Sequence, residues 1–244
     1  MNDNLKYYLI ACAITFVCIA LFATLLPIFL KNKSKKIKMI PIQVVFFVLV
    51  ALEVWKIYTL IARDESFVPL RYPIVFCSLV MYTYPLFCFK KNRFSDLAMG
   101  FSVIPCIIIF ALFVAVQSGY VMNMMQIHSY VFHGAMMAVA VYLISSGLYT
   151  FRFKDYFKNG LLVAAYILLC TIVSLILGAD LSLFGPQSGF LGVVYNNVGY
   201  AVGNVLLMAV VMLISMGIYA ALSPIHRKRV KEEDERALQE GGVK

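Results

Sequence analysis

The sequence predicts an all-α, polytopic membrane protein of seven transmembrane helices, with its N-terminus outside and its C-terminus in the cytoplasm. Three observations carry this expectation. Of 244 residues, 62% are hydrophobic and only 14% charged, whereas soluble domains are nearer half apolar and a quarter charged. The apolar residues gather into continuous runs of about 20, the length that crosses a ~30 Å hydrocarbon core as a helix. The basic residues sit in alternate connections between those runs, the pattern by which cytoplasmic loops are recognised.

Taken in order, the first span is expected at 7–30. It follows "MNDNLKYY", which has one lysine and no small-residue cleavage site, so it reads as a retained helix rather than a signal peptide. The basic loop "KNKSKKIK" leads into a second span at 40–62. A third, short span at 72–89 opens on Arg71-Tyr72-Pro73; proline is tolerated in a first helical turn, where its missing N–H has no intrahelical partner. "KKNR" precedes a fourth span at 95–117, and the fifth is placed at 127–148. "FRFKDYFKN" then leads to a sixth at 159–178 and, after a long connection, a seventh at 198–222. The intervening connections "RDESFVPLR", "SGYVMNMMQ" and "ADLSLFGPQSGFLGVVYNN" hold two arginines and no lysine. Residues 1–224 are thus expected to form the transmembrane domain and 225–244 a charged, solvated cytoplasmic tail at the anionic inner leaflet. The runs do not alternate in ten-residue units, which excludes a barrel. The chain is placed in the cell (plasma) membrane as a multi-pass protein.

Several function classes fall away on composition. The net charge of +9 does not point to nucleic acid, because the basic residues are dispersed through the loops. No Gly-rich phosphate loop or Walker-type motif occurs, and no cofactor is expected. The six cysteines all lie in apolar segments and none forms a CxxC pair, which argues against a disulfide framework and against a metal site.

What remains is a set of polar residues inside spans, each of which needs a reason at about 2.5–3.5 kcal/mol per ionisable group. Glu53 and Lys56 fall in span two, Cys77 and Ser78 in span three, and His128 and His133 in span five. At ~1.5 Å of rise per residue, Lys56, Cys77 and His133 each lie about 9 Å below the outer boundary, with Glu53 at about 13 Å and His128 at the boundary itself. A thiol, an imidazole and an ammonium brought to one level of the outer leaflet can support acyl transfer. In that reading Cys77 is the nucleophile and His133 its base, Lys56 or Arg71 stabilises an oxyanion or holds a lipid phosphate, and Glu53 pairs with Lys56 one turn away. The plainer readings are that Cys77 is a small packing residue, that each histidine bonds a neighbouring helix, that Glu53 and Lys56 are a structural pair, or that Lys56 snorkels to the interface.

At these residues the sequence resembles the YwaF-like bacterial integral membrane proteins, relatives of the transmembrane-protein-164 acyltransferases. Their third span opens with a pattern close to Pro-Leu-x-Leu-Cys-Ser, matched in spacing by Pro73-Ile74-Val75-Phe76-Cys77-Ser78. A glutamate followed by aromatics in span two is matched by Glu53, Trp55 and Tyr58. A span-five histidine followed by a tyrosine is matched by His133 and Tyr142, with His128 as the second, upstream histidine. The chain departs from the family in having no span-one histidine, no Gln-Ala and Thr-Pro-Asp stretch after span four, and "YNNVGY" in place of a Pro-aromatic-Pro signature. The resemblance implies transfer of fatty acyl chains between phospholipids, with Cys77 as nucleophile, His133 beside it, and membrane phospholipids as partners. The alternative function is a transporter or substrate-binding membrane component in which Glu53, Lys56 and the histidines line a solute or proton path; a noncatalytic scaffold is the third.

Overall fold

The computed structural model describes residues 3–62, 78, 80–90, 95–96, 99–100, 124–149, 151–177 and 197–241. Six helices make up almost all of them: α1 (Asp3–Phe29), α2 (Lys35–Ala62), α3 (Val80–Phe89), α4 (Met124–Ser145), α5 (Tyr156–Leu177) and α6 (Tyr200–Gly241). A 3₁₀ turn at Phe153–Asp155 leads into α5. Among the described residues there is no strand. Among the described residues, three stretches are long and apolar enough to cross a membrane: Lys35–Ala62, Ile127–Ser145 and Phe153–Val173. Shorter apolar helical stretches run over Ala13–Phe29 and Val80–Phe89. Most of the predicted fourth span, and the start of the third with Arg71 and Cys77, lie outside the described residues.

The two helix ends that differ most from the hydropathy-based expectation each do so for a local reason. α2 starts at Lys35 rather than at 40, because the Ser34 carbonyl accepts the first helical hydrogen bond from the Lys38 N–H at 3.1 Å. Serine is a favoured residue at that position, and a polar first turn is invisible to a hydropathy window. α6 does not stop at 222; it runs unbroken through Pro224 and the charged segment to Gly241. The expected solvated tail is therefore helical, and its first turns are docked. Arg229 donates from Nη1 to the Ile144 carbonyl at 2.8 Å and from Nη2 to the Ser145 carbonyl at 3.4 Å. These carbonyls lie in the last turn of α4, where the helix supplies few donors; that of Ile144 also accepts from the Gly147 N–H at 3.4 Å. Gly147 completes that end in the left-handed region, at φ 72°, where a side chain is strained.

Helix α4 is the spine. α1 runs along it, α2 packs on both α3 and α4, and α5 packs on α6 with the 3₁₀ turn between them. The α1–α4 approach is close at Gly134, where a Cβ would come within 2.9 Å of the Thr15 methyl; small residues at such crossings let membrane helices touch. The Tyr142 hydroxyl donates to the Lys38 carbonyl at 2.8 Å, tying α4 to the start of α2. On the same basic-loop side, Tyr149, Phe151, Tyr156 and Tyr219 form an edge-to-face aromatic knot, into which Asn159 donates through Nδ2 to the Tyr219 hydroxyl.

The distribution of side chains is inverted relative to a soluble protein. Along α2 the inward stripe is Met39, Ile42, Leu49, Glu53, Lys56 and Leu60. Its outward face carries Val44, Phe47, Val48, Val54, Tyr58 and Ile61. Charges inside and hydrocarbon outside make sense only where the surroundings are themselves hydrocarbon. The chain is a membrane protein.

Candidate functional site

The inward stripe of α2 places its charged pair against α4 and the residue leading into α3. Five of the polar residues singled out in the sequence meet there, and all are buried: Ser78 is 1% exposed, Glu53 4%, Lys56 6%, His128 6% and His133 8%. Lys56 Nζ lies 2.5 Å from Glu53 Oε1, an i, i+3 ion pair on one helical face. The Ser78 hydroxyl donates to the same carboxylate oxygen at 3.4 Å. Glu53 thus ties the residue beside Cys77 to α2. Lys56 is held as an ion pair in the interior and does not snorkel to the interface, because its neighbour one turn back supplies a charge-assisted acceptor.

His128 reaches across to α2 and donates from Nε2 to the Leu52 carbonyl at 3.0 Å. Its ring lies against Trp55, with centroids 5.6 Å apart, and stacks on Phe132 at 5.7 Å. Phe132 in turn meets the edge of His133 at 5.9 Å. The i, i+5 spacing does not put the two imidazoles on one face, yet Phe132 fills the gap and makes them one cluster. His133 donates from Nδ1 to the Ser129 carbonyl at 2.7 Å, with the Ser129 hydroxyl 3.3 Å away. That bond fixes the tautomer: a neutral ring carries its basic lone pair on Nε2. Lys56 is close enough to act electrostatically on both imidazoles.

The cluster therefore unites Glu53, Lys56, Ser78, His128 and His133. Cys77 and Arg71 lie outside the described residues. Two residues of the family-like pattern point elsewhere. Tyr58 is 70% exposed on the outer face of α2, and Tyr142 bonds Lys38 at the basic-loop end of the bundle. Sequence reasoning passed over Ser129 and the Leu52 carbonyl. Ser129, four residues before His133 on one helix, was readable as a neighbour. The Leu52 carbonyl carries no side-chain signal at all.

A profile of the TMEM164 family matches residues 4–220. The chain belongs to the TMEM164 family. The matched TMEM164 region includes all five clustered residues and leaves out of the helices only Asp3 of α1 and the end of α6, whose basic extension begins beyond it. Neither the curated proteins nor the solved structures contain a match to the chain.

Proposed function

We propose that the chain is a seven-span, multi-pass protein of the cell membrane, N-terminus outside and C-terminus cytoplasmic, that transfers or hydrolyses fatty acyl chains of phospholipids. The observation that carries this reading is the buried cluster itself. An ion pair, a hydroxyl and two imidazoles converge from three segments inside a protein whose outer faces are hydrocarbon. Cys77 is the covalent neighbour of Ser78, whose hydroxyl is bonded into that cluster.

In this mechanism His133 Nε2 takes the Cys77 thiol proton, and the thiolate attacks the ester carbonyl carbon of a phospholipid. Lys56 or Arg71 stabilises the oxyanion or holds the lipid phosphate. The ester C–O bond breaks, His133 returns the proton to the departing lysolipid oxygen, and the acyl group remains on Cys77 as a thioester. A lysolipid hydroxyl or water, deprotonated by His133, then attacks the thioester, the C–S bond breaks and the proton returns to sulfur. Glu53 and Ser78 hold the start of α3 against α2, and His128 holds α4 against α2, around the reacting groups.

The test feeds purified protein a phospholipid with a labelled acyl chain. The expected result is an acyl-thioester mass on Cys77, label in product lipid, and a loss of about 10²–10⁴-fold in rate for His133→Gln. Equal lipid remodelling by a well-folded Cys77→Ala variant overturns the mechanism. The buried Glu53–Lys56 pair favours one other reading, a solute or proton path, since paired charges at membrane depth mark such paths. Substrate-dependent flux in proteoliposomes that survives Cys77→Ala selects it.

A further inference from the structure

A second feature stands apart from that cluster, on the basic-loop side of the protein. The 3₁₀ turn before α5 and the basic part of α6 enclose an open cavity of about 590 Å³, lined by Arg152, Phe153, Lys154, Ala220, Ser223 and Arg227. Asp155 offsets Arg152, its Oδ2 lying 2.6 Å from the guanidinium Nε, so Lys154 and Arg227 supply the surplus positive charge. The backbone around it is firmly held. Tyr156 donates to the Met212 carbonyl at 3.0 Å, and the aromatic knot joins the turn to Tyr219.

We propose that this cavity binds the head group of an anionic phospholipid, with the phosphate against Lys154 and Arg227 and an acyl chain lying along α5. Charge selects the phosphate: cations clustered between transmembrane helices attract anionic head groups, and arginine offers a fork that matches phosphate oxygens. Hydrocarbon selects a lipid over a free anion. Phe153 is both a wall of the cavity and the first of an outward apolar row, Phe153, Phe157 and Leu161, at i, i+4 and i+8 from the 3₁₀ turn into α5. A water-soluble phosphate gains nothing from that row, whereas an acyl chain covers it. The site is independent of acyl transfer at Cys77 and His133, so the failure of either leaves the other standing.

The test is native mass spectrometry of the full chain in detergent, titrated with phosphatidylglycerol or with phosphatidylcholine of the same chains. We expect phosphatidylglycerol to bind at least about tenfold more tightly, and the preference to collapse in Lys154→Gln/Arg227→Gln while persisting in Lys33→Gln/Lys36→Gln, which removes equal charge outside the cavity. Both cavity positions are exposed, so the substitutions leave the fold intact, which an unchanged thermal midpoint confirms. Equal affinity for the two lipids, or a preference that survives the cavity variant, overturns the proposal. Displacement of phosphatidylglycerol by millimolar inorganic phosphate overturns the lipid assignment in favour of a soluble anion.

Discussion

Replacing Glu53 by glutamine removes the carboxylate that pairs with the Lys56 ammonium at 2.5 Å, both residues being 4–6% exposed. The amide keeps the size and a hydrogen-bonding oxygen for Ser78, so the change isolates charge. Breaking one side of a buried pair costs about 3–5 kcal/mol, because the surviving charge stays desolvated without compensation. With about 2.1 cal/mol/K of unfolding entropy per residue, over 244 residues that lowers the melting temperature by about 6–10 °C. The paired replacement Glu53→Met/Lys56→Met removes both charges and fills the space, and is expected to recover most of the loss. The assay is thermal unfolding in detergent by intrinsic fluorescence; the single tryptophan, Trp55, lies against His128 within the cluster and reports it directly. A Glu53→Gln variant within about 1 kcal/mol of the parent, or a double variant no better than the single one, would refute the claim that this pair is a buried, mutually compensating unit.

Three further outcomes are expected. Gly147→Ala forces a Cβ into the left-handed region and to 3.1 Å from Arg229 Nη1, and lowers stability by about 1–2 kcal/mol, read as a fall in melting temperature. Arg229→Met strips the charged donors from the Ile144 and Ser145 carbonyls; a loss of about 1–2 kcal/mol and faster amide exchange over the last turn of α4 are expected, with no change over α5. Tyr142→Phe deletes the bond to the Lys38 carbonyl and costs about 1 kcal/mol, while acyl transfer, if measured, continues, because Tyr142 stands away from the histidines.

Much of the cluster was legible because residue types alone were anomalous. Glu53 and Lys56 three apart in an apolar run had to share a face and pair, and they do. His128 and His133 stood out for the same reason, although the i, i+5 spacing gave no hint that Phe132 would bridge them. The charges of residues 225–241 fall at helical spacing, which agrees with the helix found there, but that spacing did not show that the segment would dock. Its helical state goes with a contact between residues more than 80 positions apart, Arg229 against the end of α4.

The sequence by itself determined the membrane character and the all-helical class, because length and hydropathy of a run suffice when every backbone polar group must be satisfied within its own helix. It also determined which residues would be expensive to bury. Tertiary structure decided how that expense is met. It set Ser78 on the Glu53 carboxylate, gave His128 a carbonyl of another helix, and turned Tyr58 and Tyr142 away from the site. Those outcomes depend on which helix lies beside which and in what rotation. In a chain whose helices are apolar all round, periodicity carries little of that information, and the few polar side chains must find one another before the packing is fixed.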